Sequence, residues 1–376
     1  MVRGGIPIGT YFGIPVKLHW SWFIIFGIIT YFLATGYFQV EFPGWSAALS
    51  YGVAAGTSIL FFVSVLIHEL SHSRVAQAAG MKISGITLFI FGGVSQLTEE
   101  PRTAGIEFRM AIAGPGSSLI IGGIFLGIYF ASRHSIDVLA GLSFWLGYIN
   151  VALAAFNMIP GFPLDGGRVL RSVLWWRSGN LRSSTRTAAN IGRGIGYLFI
   201  FGGIFLIFWG WPDYLFQGLW IAFIGWLLEN AAVGSYRQVA LHDMLQGHKV
   251  SEVMSRECTM IPASTTVERL VNEHILTSGR RCFPVVDNGR AVGLITMHNV
   301  KVVPREQWGN RTVKEVMTPM DKVKQVGPDE DLTSVMQLLT DEDINQLPVV
   351  EDNKVVGIVG RDRLLTFINT RAELGM

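Results

Sequence analysis

Two histidines and a glutamate stand inside an otherwise apolar stretch, FFVSVLIHELSHSRVAQ, residues 61–77. His68 and His72 are four residues apart, so on a helix they project from one face and can chelate one ion. Glu69 adjoins the first of them and can act as base toward a water beside that ion, the H-E-x-x-H arrangement of zinc hydrolases. Ionisable groups within a membrane span are costly and mark functional sites. The alternative is that the three groups sit at the cytoplasmic interface, where snorkelling makes them cheap.

Two histidines leave a catalytic zinc site one protein ligand short. Of the other histidines, His19 and His134 lie near membrane boundaries, and the rest lie in the polar C-terminal part. The better candidate is a carboxylate in NMIPGFPLDGGRVL, residues 157–170. There a span ends at Pro160 and Pro163, and the chain is expected to restart after Gly166 and Gly167. Proline frees backbone carbonyls and breaks a helix. A break at membrane depth is tolerated only where it is buried in protein or lines a wet cavity. Asp165 stands at this break as the candidate third ligand; its alternative role is a helix N-cap.

These elements need a membrane to hold them. Of 376 residues, 50% are hydrophobic and only 15% charged, against about a quarter charged in soluble domains. The deficit is confined to the first part of the chain. Six stretches, at about 18–38, 47–76, 106–131, 139–159, 191–209 and 214–232, are apolar over roughly the 20 residues that a bilayer core requires. No cleavable signal peptide is legible, and the first span is expected to serve as its own uncleaved signal. Arg168, Arg171, Arg177, Arg182, Arg186 and Arg193 crowd one connection, which by the positive-inside rule is cytoplasmic. Alternation then places the N-terminus, residues 80–105 and the whole C-terminal part inside, with the His68 end of its span toward the cytoplasm. The net charge of +2 gives no case for nucleic acid. Cys258 and Cys282 are too few for a disulfide framework and fit a reducing cytosol.

The paired segments His68-Glu69-Leu70-Ser71-His72 and Asn157-Met158-Ile159-Pro160-Gly161-Phe162-Pro163-Leu164-Asp165-Gly166 resemble the site-2 protease family of intramembrane zinc metalloproteases. The resemblance implies one zinc per chain, a transmembrane protein as substrate, and Asn157 as a contact to substrate or oxyanion. It departs from the family at Ser71, where glycine is frequent. It also departs at Ser118, which replaces an asparagine in the element Gly114-Pro115-Gly116-Ser117-Ser118. ISGITLFIFGGVSQL, residues 83–97, is too short and glycine-interrupted for a span and rich in strand formers. It is expected to form a small sheet or re-entrant hairpin beside the zinc, with Gly92-Gly93 at its turn, or else an interfacial loop that only packs.

The C-terminal part repeats itself. VSEVMS at Val250 recurs as VKEVMT at Val313, and FPVVDNGRAVGLI at Phe283 recurs as LPVVEDNKVVGIV at Leu347. Each copy reads as strand, helix, strand, strand, helix, and the pair is similar to a tandem CBS domain. That resemblance implies ATP, ADP or AMP in the cleft between repeats, or a structural pair that mediates homodimerisation. The nucleotide signature is divided: the first copy has Thr296 with Asn299 where aspartate is usual, and the second has Gly360 in the hydroxyl position and retains Asp362.

The expected architecture is a polytopic α-helical membrane domain over 1–236, with a small β element, followed by a soluble α/β CBS pair over 237–376, with repeats at about 250–303 and 313–370. The competing class is a transporter or channel with a regulatory CBS tail. It would show internal symmetry among the spans or paired broken helices, and the sequence shows one broken helix and no such repeat. A proteolytically inactive relative is disfavoured by the intact Glu69.

Overall fold

A computed structural model describes residues 5–90, 92–97, 100–352 and 354–374. The chain divides into two compact units, Met1–Val239 and Ala240–Met376.

The first unit opens with a β-hairpin. Strands β1 (Ile6–Tyr11) and β2 (Ile14–Leu18) pair antiparallel with Tyr11 opposite Ile14. The two-residue turn takes Phe12 and Gly13 to φ 53° and 79°, the positive values that hairpin turns of the primed type demand. Strand β2 then pairs in parallel with β3 (Ile83–Phe89), and β3 pairs antiparallel with β4 (Gly92–Leu97), giving a sheet of order β1-β2-β3-β4. Residues 83–97 are therefore a strand pair. Phe89 pairs with Gly92 and Leu88 with Gly93, so Gly92-Gly93 open β4 instead of forming the turn. The two N-terminal strands were absent from the sequence expectation.

Among the described residues, six helices are long and apolar enough to cross a membrane. They are α1 (Ser21–Glu41, with a π-helical stretch at Leu33–Phe38), α2 (Ala47–Ala78), α3 (Ala104–Ser132), α4 (Asp137–Asn157), α6 (Leu181–Trp209) and α7 (Leu215–Leu245, apolar through Leu241). Between α4 and α6 lies the shorter α5 (Asp165–Ser178). Side-chain caps fix several starts: Ser46 accepts from Leu49 N at α2, Thr103 from Ile106 N at α3, and Asn180 from Ser183 N at α6. Ile120, Leu198, Phe205 and Phe208 are exposed on these helices. An outward apolar surface of this extent is what lipid covers, and the protein is a multi-pass membrane protein.

Helices α2, α3 and α4 pack together, and α5 packs on α3. One apolar core joins Ile14, Val16, Ile86 and Leu88 of the sheet to Val65 and Leu70 of α2. The sheet is thereby seated against the half of α2 that carries His68, Glu69 and His72.

The second unit holds two short-helix-and-strand repeats. In the first, β5 (Ile261–Pro262), β6 (Cys282–Asp287), β7 (Arg290–Thr296) and β8 (Thr318–Pro319) form one sheet; in the second, β9 (Gln346–Glu351) pairs with β10 (Lys354–Gly360). The duplicated V-x-E-V-M segments cross over. Val250 N donates to Glu330 O and Ser255 N to Ile358 O, so the leading segment of copy one lies on copy two. Val313 N donates to Thr265 O, and β8 pairs with β7, so the leading segment of copy two lies on copy one. Val250 and Val313 accordingly belong to the opposite repeats' cores. Both cysteines are free thiols. Burial, together with nearby Cys258, pushes the Cys282 thiol up to about 12, so it stays protonated at neutral pH.

Candidate metal centre

His68 and His72 lie on one face of α2, as their spacing requires. Their Nε2 atoms are 3.2 Å apart, and each is 3.2 Å from Asp165 Oδ2. The three donors thus form an equilateral triangle. A tetrahedral ion bonded at 2.0–2.1 Å has ligand–ligand edges of about 3.3 Å, so this triangle matches one face of a zinc tetrahedron. Two imidazoles and a carboxylate are also a donor set that zinc accepts, and they are the His/Cys/Asp/Glu cluster of metal-binding geometry found among the described residues.

Each imidazole is oriented by its other nitrogen. His68 Nδ1 bonds Ser118 Oγ at 2.9 Å, and His72 Nδ1 bonds the Met110 carbonyl at 2.7 Å. Engaging Nδ1 turns Nε2 toward Asp165 and fixes the ring. Ser118 therefore carries a polar role of its own: although it replaces the amide usual in the resemblance, its fully buried hydroxyl holds the first histidine. Both contacts come from α3, which also supplies Gly114. A Cβ built at Gly114 would stand 2.1 Å from His72 Nε2 and 2.6 Å from His68 Nε2. Only a bare backbone leaves the room an ion would occupy.

Asp165 is the first residue of α5, whose N-cap is Leu164 and uses no side chain. The capping alternative is thus not realised; the carboxylate turns to the histidines. The helix begins before Gly166 and Gly167, three residues earlier than the sequence suggested. Glu69 backs onto strand β4: a Cβ at Gly93 would stand 2.4 Å from Glu69 Cγ and 3.2 Å from its Oε1. Ser73 Oγ and Ser95 Oγ lie 3.0 Å apart one helical turn beyond. The edge strand of the sheet therefore runs alongside the glutamate. Asn157 ends α4, half-buried, just ahead of the break.

Two buried features escaped sequence reasoning. Asn150, fully buried, donates to Ser64 Oγ at 3.3 Å and ties α4 to α2 one turn before His68. An amide alone in an apolar span was the available signal. The second is an ion pair between Arg171 and Glu107, which sequence offers only as two unrelated charges.

In the second unit, Thr296 caps the helix Met297–Val302. Its hydroxyl donates to Asn299 Oδ1 at 2.6 Å, while Asn299 Oδ1 also accepts from Thr296 N. Strands β7 and β10 are related by a constant offset, Arg290 to Lys354 and Thr296 to Gly360. The residue equivalent to Asn299 is then Arg363, and Asp362 stands one place short of it. Asp362 is exposed, and a Cβ at Gly360 would press on its Oδ1 at 2.5 Å. The sequence alignment of the second nucleotide signature was off by one residue. A cavity of about 440 Å³ in the first repeat is lined by Ser264, Asp287, Asn288, Thr312 and Lys314 among others, and by neither Thr296 nor Asp362.

An apolar helix bundle that gathers two imidazoles, a carboxylate and an adjoining glutamate has the donor set and the base of a metal-dependent hydrolase of the membrane. Comparison with known proteins agrees. The model of Peptidase family M50 matches residues 56–138 and 134–203, and that of the CBS domain matches 250–303 and 313–370. The sll0528 protein of Synechocystis sp. is 33% identical over 99% of this chain and 97% of its own length. Rip3 of Mycobacterium tuberculosis is 31% identical over 95% and 91%, and the zinc metalloprotease MJ0392 of Methanocaldococcus jannaschii is 30% identical over 96% of each. Among solved structures, a site-2 protease from Methanocaldococcus jannaschii covers 62% of this chain and 95% of its own at 30% identity, with a TM-score of 0.42. The chain belongs to peptidase family M50, the site-2 proteases, and carries a C-terminal CBS pair. It is a zinc metalloendopeptidase of the membrane, which sets aside the transporter or channel reading.

Proposed function

We propose that His68, His72 and Asp165 hold one zinc ion, that Glu69 is the catalytic base, and that the enzyme cuts transmembrane segments of other membrane proteins near the cytoplasmic face. The observation that carries this reading is the 3.2 Å donor triangle with Glu69 beside it.

Bound zinc supplies Lewis acidity to the scissile carbonyl and to water. Glu69 takes the proton of the attacking water as its oxygen bonds to the carbonyl carbon, and returns that proton to the amine nitrogen as the C–N bond breaks. Asn157 donates a hydrogen bond to the substrate at the mouth of the break. A substrate helix hides its carbonyls in its own hydrogen bonds, so it must unwind before attack. Strand β4 offers an edge on which an unwound segment can pair in extended form, and Gly93 puts that edge against Glu69. His68 lies ten residues before the end of α2 at Ala78, or ~15 Å along the helix. With the arginine-rich connection read as cytoplasmic, this depth supports a reaction toward the inner leaflet, and alternation of the spans supports an N-terminus and both repeats on the cytoplasmic side.

The CBS pair adds regulation in this reading: an adenine nucleotide that binds one arrangement of the repeats better than another shifts cleavage by its differential affinity, and the pair is also the surface for a homodimer. Reconstituting the full chain in liposomes with a single-span test substrate examines both parts. Cleavage should appear with zinc, vanish with a zinc chelator and return on zinc addition. ATP, ADP or AMP at millimolar concentration should change the rate. Chelator-insensitive cleavage contradicts the zinc reading, and a rate unmoved by all three nucleotides removes the regulatory part alone.

A further inference from the structure

Helix α3 contacts both histidines of the metal centre from one face. Met110, Gly114 and Ser118 follow one another at turn spacing, and they respectively receive His72, make room for the ion and hold His68. Glu107 stands on the same face, one turn before Met110, with no exposed surface at all. Its partner is Arg171 of α5, only 3% exposed. Arg171 Nε donates to Glu107 Oε1 at 2.6 Å, and Nη2 contacts the same oxygen. Nη2 also donates to Glu100 Oε2 at 3.1 Å, and the guanidinium lies over the Phe162 ring at 5.1 Å.

Helix α5 begins with Asp165, after a non-helical stretch that contains Pro160 and Pro163. No continuous helix carries its position over from α4, so tertiary contacts must set it. A buried ion pair is a costly way to gain stability, and an apolar pair would usually serve as well. What the pair does supply is a directional, multi-point lock between α5 and the helix that aims both histidines.

We propose that Arg171 is a positioning residue for the metal centre. Through Glu107 it fixes the start of α5 against α3, and so keeps Asp165 Oδ2 at equal distance from the two histidines. This inference rests on the zinc-site reading above.

The test uses the purified full chain and two readouts besides cleavage: zinc affinity by competition with a chromophoric chelator, and the visible spectrum of the cobalt(II)-substituted protein. The variant R171M/E107M removes the lock without leaving a charge buried alone. It should fold and bind zinc about 10–100-fold more weakly, the range for groups that orient metal ligands, and its cobalt bands should lose tetrahedral intensity. Added to D165A, the same pair of changes should cost nothing further, because it acts through Asp165. If the apolar pair fails to fold, R171K decides, since an ammonium cannot reproduce the fork that spans Glu107 and Glu100; it too should weaken zinc. Wild-type affinity and spectrum in the folded variant, or losses that add to those of D165A, would overturn the proposal. Wild-type affinity in D165A alone would instead overturn the zinc-site reading beneath it.

Discussion

Replacing Glu69 by glutamine is expected to abolish cleavage while the protein keeps its zinc. The carboxylate is not among the three donors of the triangle, so metal content should be unchanged. Glutamine has nearly the same shape, so the close approach to Gly93 survives. What disappears is a group able to accept and return a proton, a loss of about 10²–10⁴-fold from general catalysis. Zinc quantified beside substrate turnover in one E69Q preparation gives the result. Turnover at the wild-type rate would take Glu69 out of the mechanism, and a loss of zinc would make it a ligand.

Replacing Asp165 by alanine should act on the metal first. Asp165 Oδ2 is the only carboxylate oxygen in the donor triangle, and its removal leaves two imidazoles where three protein ligands are usual. Zinc affinity should fall by more than the ~100-fold upper range for orienting groups, and cleavage should fall with it. The start of α5 should persist, because its N-cap draws on no side chain. Metal titration of D165A measures the effect. An unchanged affinity with activity lost would place Asp165 on the substrate instead.

The parts of this enzyme that were legible from sequence were those written locally. His68, Glu69 and His72 declare themselves because one helical turn brings them together, and the six spans because hydropathy is a property of consecutive residues. The place of Asp165 beside the histidines was legible through Pro160 and Pro163, which announce a broken helix where a carboxylate can face them. The pairing of Glu107 with Arg171 was not, since 64 positions separate them in the chain and each charge alone looks like an interfacial one. Ser118 was noticed as a departure, yet only its distance to His68 shows a hydroxyl doing the orienting. The hairpin β1-β2 was hidden by the span that follows it, although Phe12-Gly13 between alternating residues was its mark. In the repeats, similarity located the copies, but the exchange of their leading segments is a matter of tertiary packing. Asp362 was misaligned because a one-residue slip in a degenerate motif leaves its pattern nearly intact.

X-ray absorption at the zinc edge of the purified full chain decides whether one zinc ion sits on His68, His72 and Asp165. The expected spectrum shows one zinc per chain, with two imidazole nitrogens at about 2.0–2.1 Å and oxygen at about 2.0–2.2 Å, the oxygen shell diminished in D165A. A sulfur shell at about 2.3 Å, or the same spectrum with and without Asp165, would contradict it.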